Sequence, residues 1–227
     1  VEYAGVEFEV LSTAGLALGG DRIDQLIFKE LLFPLLGKGE TWSRVKDGRL
    51  IENEFPFIEF EDKLLNWAVT YTLNQNYYRA KVTDCIKQGG VMAEKFSRLD
   101  DLITHNYSYL VFQAIKDAKV ALSDSAETLL DIPELDISIE FNRGQFEAMM
   151  KPMLVDIDRI VDQVIESARI SADDIDVVIR TGGSSQIDAV KRLMEKKFPG
   201  KVTEHDPFTS VAAGLAIAGY HDYQHKV

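Results

Sequence analysis

The chain has 227 residues, 46% hydrophobic and 27% charged, enough for one large or two small globular domains. Its formal net charge is −12, which argues against nucleic acid as a main partner, because phosphate binding relies on Lys and Arg. Cys85 is the single cysteine, so no internal disulfide forms, and a buried inert thiol in a reducing compartment is the expectation. No apolar run is long enough to span a membrane and no signal peptide is visible. The chain begins with Val1 rather than Met and close to a strand, which suggests a piece of a longer protein.

Val6, Phe8 and Val10 alternate with Glu7 and Glu9, the pattern of a half-exposed strand. Leu18-Gly19-Gly20-Asp21 then opens a helix, with Asp21 as candidate N-cap and Asp24 in the first turn. Ile23, Leu26, Ile27 and Leu31 give that helix an apolar stripe, with Pro34 near its end and Gly37 beyond. Residues 37–60 hold Gly37, Gly39, Gly48 and Pro56 and read as an inserted loop with short strands. Residues 61–80 read as one helix and 91–102 as another. The tyrosines Tyr71, Tyr77, Tyr78, Tyr107 and Tyr109 suit packing between helices better than stacking on a base. His105 has no spaced ligand partner.

Residues 108–123 form the most regular amphipathic helix of the middle, with Val111, Phe112, Ile115, Ala118 and Leu122 as its buried stripe. Lys116, Lys119 and Ser123 recur at spacings of three and four and share a neighbouring face. Two cations and a hydroxyl there suit a nucleotide sugar and base, and they equally suit a solvated face. Leu135, Ile137, Ile139 and Phe141 alternate with polar residues, as in the second strand of a hairpin within 126–141. A long helix is predicted from Arg143 to Ala168, with a kink or new start near Pro152. Strand 175–181, helix 185–197, a short strand near 201–203 and a helix from Thr209 to Tyr220 follow, the last rich in small residues and expected to pack closely on a neighbour.

Val177, Val178 and Ile179 are consecutive and β-branched, as in a strand covered on both faces. Gly182 and Gly183 allow a sharp turn and close approach of a ligand, and Ser184 or Ser185 can cap the next helix, with Asp188 near its first turn. Strand, Gly-Gly-Ser and helix make a plausible ligand corner at the carboxyl end of a sheet, and also an ordinary tight turn. The two glycine pairs, Gly19-Gly20 and Gly182-Gly183, are too dissimilar in their surroundings to be an internal repeat.

Four stretches in order carry a family resemblance: Leu18-Gly-Gly-Asp-Arg-Ile-Asp24, Ala118-Lys-Val-Ala-Leu-Ser123, Val178-Ile-Arg-Thr-Gly-Gly-Ser-Ser185 and Asp206-Pro-Phe-Thr-Ser-Val-Ala-Ala-Gly214. Together they resemble the second half of the nucleotide-binding domain of DnaK-type heat-shock chaperones. The resemblance covers most of the chain except roughly residues 37–95, where the insertion looks like that of divergent bacterial members. It implies the α/β actin-like ATPase (ribonuclease H-like) fold. Residues 1–38 and 143–227 would form the lobe core, and residues 39–142 a mostly helical inserted subdomain with a β-hairpin.

The resemblance also implies roles. Gly19 and Gly20 match glycines that approach the β- and γ-phosphates, and Asp24 matches an acid near the metal and cation sites. Lys119 and Ser123 match the helix that contacts adenosine, while Gly182, Gly183 and Ser184 match the loop that cradles the α-phosphate side and the nucleoside. The two groups would face each other across a cleft holding ATP or ADP with Mg. Lys116 stands where the family usually has a ribose-contacting glutamate, and Val120 and Gln186 stand where it has adenine-sandwiching arginines. Phe208 stands in place of an aspartate. Neither of the family's phosphate loops, of Asp-x-Gly-Thr and Asp-x-Gly-Gly-Gly-Thr type, occurs. The expectation is the adenosine side of a chaperone-like ATPase, inactive alone and cytoplasmic. Its expected partners are a first lobe of the same protein, unfolded polypeptide and co-chaperones. The alternatives are a pseudo-ATPase interaction module and a lobe of another actin-like protein, such as a sugar kinase.

Overall fold

The computed structural model describes residues 2–3, 6–7, 9–204 and 209–220. The chain divides into two compact units, residues 21–149 and residues 1–20 with 150–227. It is mixed α/β and mostly helical, with four separate two-stranded sheets among the described residues.

The unit formed by residues 21–149 is built on aromatic packing. Helix α1 (Gly20–Ile27) widens into a π-helical turn over Phe28–Leu32 and then tightens into a 3-10 turn over Phe33–Leu36. Gly37 ends it at φ +98°, where an added Cβ would lie 2.6 Å from the Phe96 ring. A left-handed conformation and that close approach both require glycine here. Strands β3 (Thr41–Lys46) and β4 (Arg49–Glu54) form an antiparallel hairpin. Its two-residue turn, Asp47-Gly48, has positive φ at both positions, which matches the twist of the flanking strands.

Helix α2 (Ile58–Leu64) stops where one helix over 61–80 was expected. Thr70 is fully buried, and its hydroxyl donates to the carbonyls of Lys63 and Asn66, while the Asn66 side chain accepts from the Ala68 N–H. These local side-chain bonds compete with helix continuation. A 3-10 turn at Thr70–Asn74 precedes α3 (Asn76–Gln88), then α4 (Val91–Thr104) and α5 (Ser108–Asp124). Rings from these elements meet edge-on or tilted: Phe28 lies 5.3 Å from Phe33, Phe33 4.9 Å from Phe57, and Phe55 4.7 Å from Phe96. Tyr78 packs on Phe60 at 5.3 Å, the packing role expected of it. Cys85 is fully buried on α3, and burial pushes its thiol up to about 12, so it stays protonated.

Strands β5 (Glu127–Ile132) and β6 (Ile137–Asn142) pair antiparallel from Ile132 opposite Ile137 to Glu127 opposite Asn142. Asp136 takes φ +50° in the turn between them. Leu135, Ile137 and Phe141 are buried and Ser138 and Glu140 exposed, as the alternation predicts. Helix α6 (Arg143–Ala168) runs as one element through Pro152, with no new start there, and its residues from Met150 on belong to the other unit.

In the other unit, β1 (Glu2–Tyr3) and β2 (Val6–Glu7) make a two-residue antiparallel pair. The predicted strand over residues 6–10 is shorter than its alternation: Val10 lies outside β2 and is exposed, and Phe8 lies outside the described residues. Strand β7 (Val178–Arg180) pairs in parallel with β8 (Val202–Glu204). A strand covered on both faces was expected; instead Val177 and Ile179 are 52% and 59% exposed. β-branching specifies an extended backbone, but coverage depends on neighbouring layers that no local run of residues encodes. Helix α7 (Asp188–Lys197) carries Asp188 in its first turn, and α8 (Ser210–Tyr220) closes the described chain. Leu215 of α8 is 70% exposed and an added Cβ at Gly214 meets nothing within 4 Å, contrary to the close packing expected of its small residues.

Candidate functional site

Helix α5 is positioned by its apolar stripe: Val111, Phe112, Ile115, Ala118 and Leu122 are all buried. Lys116 and Ser123 stand exposed on the neighbouring face, and Lys119 between them is largely covered. The reason is Asp24. Ile23 and Ile27 are fully buried on α1, and Asp24 is drawn in beside them at 1% exposure. Its Oδ1 accepts from Lys119 Nζ at 2.5 Å, joining residues 95 apart in sequence. Asp24 Oδ2 is buried without a hydrogen-bond partner. A charge taken out of water is tolerated only when paired, so Lys119 is the condition for Asp24 being inside. The separate assignments made from the sequence, metal side for Asp24 and nucleotide side for Lys119, thus fall on two ends of one ion pair.

The C-terminal end of α5 is held from outside the helix. Arg143 Nε donates to the Leu122 carbonyl at 3.1 Å, and its Nη2 reaches the carbonyls of Ser123 at 3.4 Å and Ser125 at 3.0 Å. A guanidinium satisfies the last orphan carbonyls and complements the helix dipole there. Arg143 therefore fixes the backbone at Ser123. Its role was not foreseen, because a side chain bonding to distant carbonyls leaves no periodic mark.

Beside Lys116 lies a recess of about 230 Å³, lined by Asp21, Gln25, Asn66, Trp67 and Phe112. Gln25 Nε2 donates to the Leu65 carbonyl at 3.1 Å and so ties α1 to the turn carrying Trp67. Trp67 is half exposed and meets Tyr109 edge-on at 5.8 Å. Asp21 sits in the first turn of α1 rather than at an N-cap, since the helix starts at Gly20, directly after the exposed Gly19.

The second set of predicted residues lies in the other unit. Gly182 follows β7 with φ +84°, and residues Gly183–Gln186 form a 3-10 turn before α7. Ser184 and Ser185 are thus not caps of α7, whose cap position is Ile187 with no side-chain bond. Ser185 Oγ instead donates to the Gly182 carbonyl at 2.7 Å, and Arg180 Nη1 donates to the Ser185 carbonyl. The turn is braced from within. An added Cβ at Gly182 or Gly183 would meet nothing within 4 Å, so the backbone there lies open. Gln186 Nε2 is buried with no hydrogen-bond partner. Phe208 lies outside the described residues, as do Asp206 and Pro207.

These features fit the two groups unequally. An open glycine backbone and an orphan amide donor suit a polar, anionic ligand such as a nucleotide phosphate. Magnesium takes six oxygen ligands at near-octahedral geometry. Asp24 offers it one oxygen committed to Lys119 and one buried oxygen. Magnesium therefore does not fit at Asp24 in this arrangement.

A protein-family model described as Hsp70 protein matches residues 106–221. The chain is 31% identical over 147 residues to the chaperone protein dnaK1 of Synechocystis, covering 59% of this chain and 21% of that protein. It is 30% identical over 146 residues to the chaperone protein DnaK of Deinococcus deserti, covering 56% and 22%. It is 31% identical over 119 residues to that of Deinococcus radiodurans, covering 47% and 19%. The chain thus spans about a fifth of the length of these curated relatives. Among the described residues no helix is long and apolar enough to cross a membrane.

Proposed function

The chain belongs to the Hsp70 family, and from that premise we propose that it is a fragment of a chaperone-like ATPase that supplies the adenosine side of a nucleotide site. One observation carries the reading: the matched residues, 106–221, contain both α5 with Lys116, Lys119 and Ser123 and the Gly182–Gln186 turn. The family implies an actin-like ATPase fold with ATP or ADP as ligand.

In this proposal Ser123, fixed by Arg143, and the exposed Lys116 meet the nucleoside, while Lys119 is oriented by Asp24. Gly182, Gly183 and Ser184 offer backbone N–H groups, and the Gln186 side chain, whose Nε2 is buried and unpaired, turns outward to find its partner on the ligand. Gly19 and Gly20 take the phosphate end. Bound nucleotide supplies the triphosphate; the residues named here bind and orient it and move no proton. Magnesium enters no step, because Asp24 does not fit it. A first lobe elsewhere in the whole protein, unfolded polypeptide and co-chaperones are the proposed partners, with a cytoplasmic location.

Affinity is set by what is replaced. Val120 is 63% exposed where the family has an arginine, and a valine offers no planar cation to a base. Each missing charge-assisted hydrogen bond costs on the order of 1.5–3 kcal/mol, and about 1.4 kcal/mol is tenfold in affinity. The chain is expected to bind ATP with a dissociation constant of about millimolar order. Calorimetric titration of ATP into the chain and into Gln186→Ala checks this, with at least a severalfold loss expected in the variant. Micromolar affinity, or affinity that Gln186→Ala leaves unchanged, would overturn the assignment of the turn. No binding at all would favour the decayed, pseudo-ATPase alternative.

A further inference from the structure

The hairpin of β3 and β4 lies outside the residues matched by the family model, and its two edges differ. The outer edge of β3 is closed at Ser43. The Ser43 N–H donates to Gln88 Oε1 at 2.9 Å, and Gln88 Nε2 donates to the Ser43 carbonyl at 2.8 Å. A side-chain amide from α3 thus fills the place of a third strand at that residue.

The outer edge of β4 is open. Ser43 lies opposite Glu52, and since Ser43 directs both backbone groups outward, this is a non-hydrogen-bonded pair. Alternation makes Val45–Leu50 and Thr41–Glu54 pairs of the same kind. The N–H and C=O groups of Leu50, Glu52 and Glu54 therefore point away from β3. All six residues of β4 are exposed, Leu50 at 72%, and β3 is its only strand partner among the described residues. Glu52 Oε1 is held by the Thr41 hydroxyl at 2.9 Å, so this carboxylate has a fixed bearing.

The outward row holds two acids, one leucine and no base. Like charges opposite each other destabilise a strand pair, and acids on an edge guard against pairing with an identical edge. A second copy laid on this row sets acid against acid or acid against leucine. The complementary occupant is basic.

We propose that β4 accepts an extended basic segment of another protein as an antiparallel third strand. Lys or Arg lies opposite Glu54 and Glu52, and an apolar residue lies opposite Leu50. Read from its N-terminus, the segment runs basic, any, basic, any, apolar. Ladder hydrogen bonds supply affinity, and the alternating side chains supply selectivity, as in other cases of strand addition. This inference is independent of the nucleotide reading.

The test titrates two labelled peptides into the full chain by fluorescence anisotropy, one containing Lys-Thr-Lys-Thr-Leu and one containing Glu-Thr-Glu-Thr-Leu. The lysine peptide binds and the glutamate peptide does not. The double variant Glu52→Lys, Glu54→Lys, which leaves the hairpin backbone intact, reverses that preference. N-methylating the lysine peptide on the amides that face β4 weakens its binding by at least about tenfold, because ladder bonds are lost while charge is kept. Unchanged affinity of the N-methylated peptide would show charge attraction without strand addition and overturn the proposal. So would a preference that survives the double variant, or concentration-dependent pairing of the chain with itself through β4.

Discussion

At the scale of single residues, the Asp24–Lys119 pair is the strongest electrostatic commitment near the candidate site. Asp24 is 1% exposed, whereas the Lys119 side chain keeps 19% of its surface. Removing the cation strands a carboxylate that already has one unsatisfied oxygen. Lys119→Met is expected to destabilise the chain by about 2–3 kcal/mol, somewhat below a fully buried pair because water reaches the lysine. The double variant Asp24→Leu, Lys119→Met should recover most of that loss, since both charges leave together. Urea unfolding of the three proteins measures this; a Lys119→Met stability within about 0.5 kcal/mol of the parent would mean that Asp24 is not held by this pair. No local pattern announced the pair. Asp24 and Lys119 each sit at an ordinary helical position, and only the packing of α1 beside α5 brings them together.

At the scale of elements, Gly37 is where a helix, a hairpin and a neighbouring helix are made compatible. The left-handed turn ends the 3-10 segment, and the Phe96 ring of α4 fills the space a Cβ would need. Gly37→Ala is expected to cost about 2 kcal/mol or more, combining a strained φ with displacement of a buried ring. Thermal unfolding should show a lower midpoint, and the companion Gly39→Ala separates the two causes. Gly39 also has positive φ, but an added Cβ there meets nothing within 4 Å, so its cost is that of the backbone alone.

Elements with one strong period were legible from the residues. Helix α5 was predicted at 108–123 and found at Ser108–Asp124, and α6 was predicted and found from Arg143 to Ala168. The β5–β6 hairpin followed its alternation. Two of the failures share a cause. The helix over 61–80 was interrupted by hydroxyl and amide bonds at Thr70 and Asn66, and the serines after Gly182 entered a 3-10 turn instead of capping α7. Short polar side chains can bond to several nearby backbone groups, and propensity does not say which wins. In the candidate site, the residue types were readable, but the Arg143 clamp and the orphan amide of Gln186 depend on contacts across the chain.

At the scale of the whole molecule, catalysis is expected to be missing from the chain by itself. Phosphoryl transfer depends on positioning, metal and opposed charge around the transferred group. Neither phosphate loop of the family occurs in the 227 residues, and magnesium does not fit at Asp24. A phosphate-release assay with saturating ATP and magnesium should read the buffer rate. Turnover above it that disappears in the Gln186→Ala variant would mean that one lobe suffices, and the two-lobe clamp would have to be abandoned.

The amide of Gln88, posing as a strand beside Ser43, also has a kinetic consequence. The β3–β4 hairpin is local and closes through a two-residue turn, so it can form early, on the microsecond scale of such hairpins. Its latch is 45 residues further along the chain and waits for α3 to form and dock. The Ser43 amide proton is therefore shielded from solvent by α3 and not by the hairpin it belongs to. Its hydrogen exchange records the undocking of a helix, while the ladder amides of the same strand record the opening of the sheet.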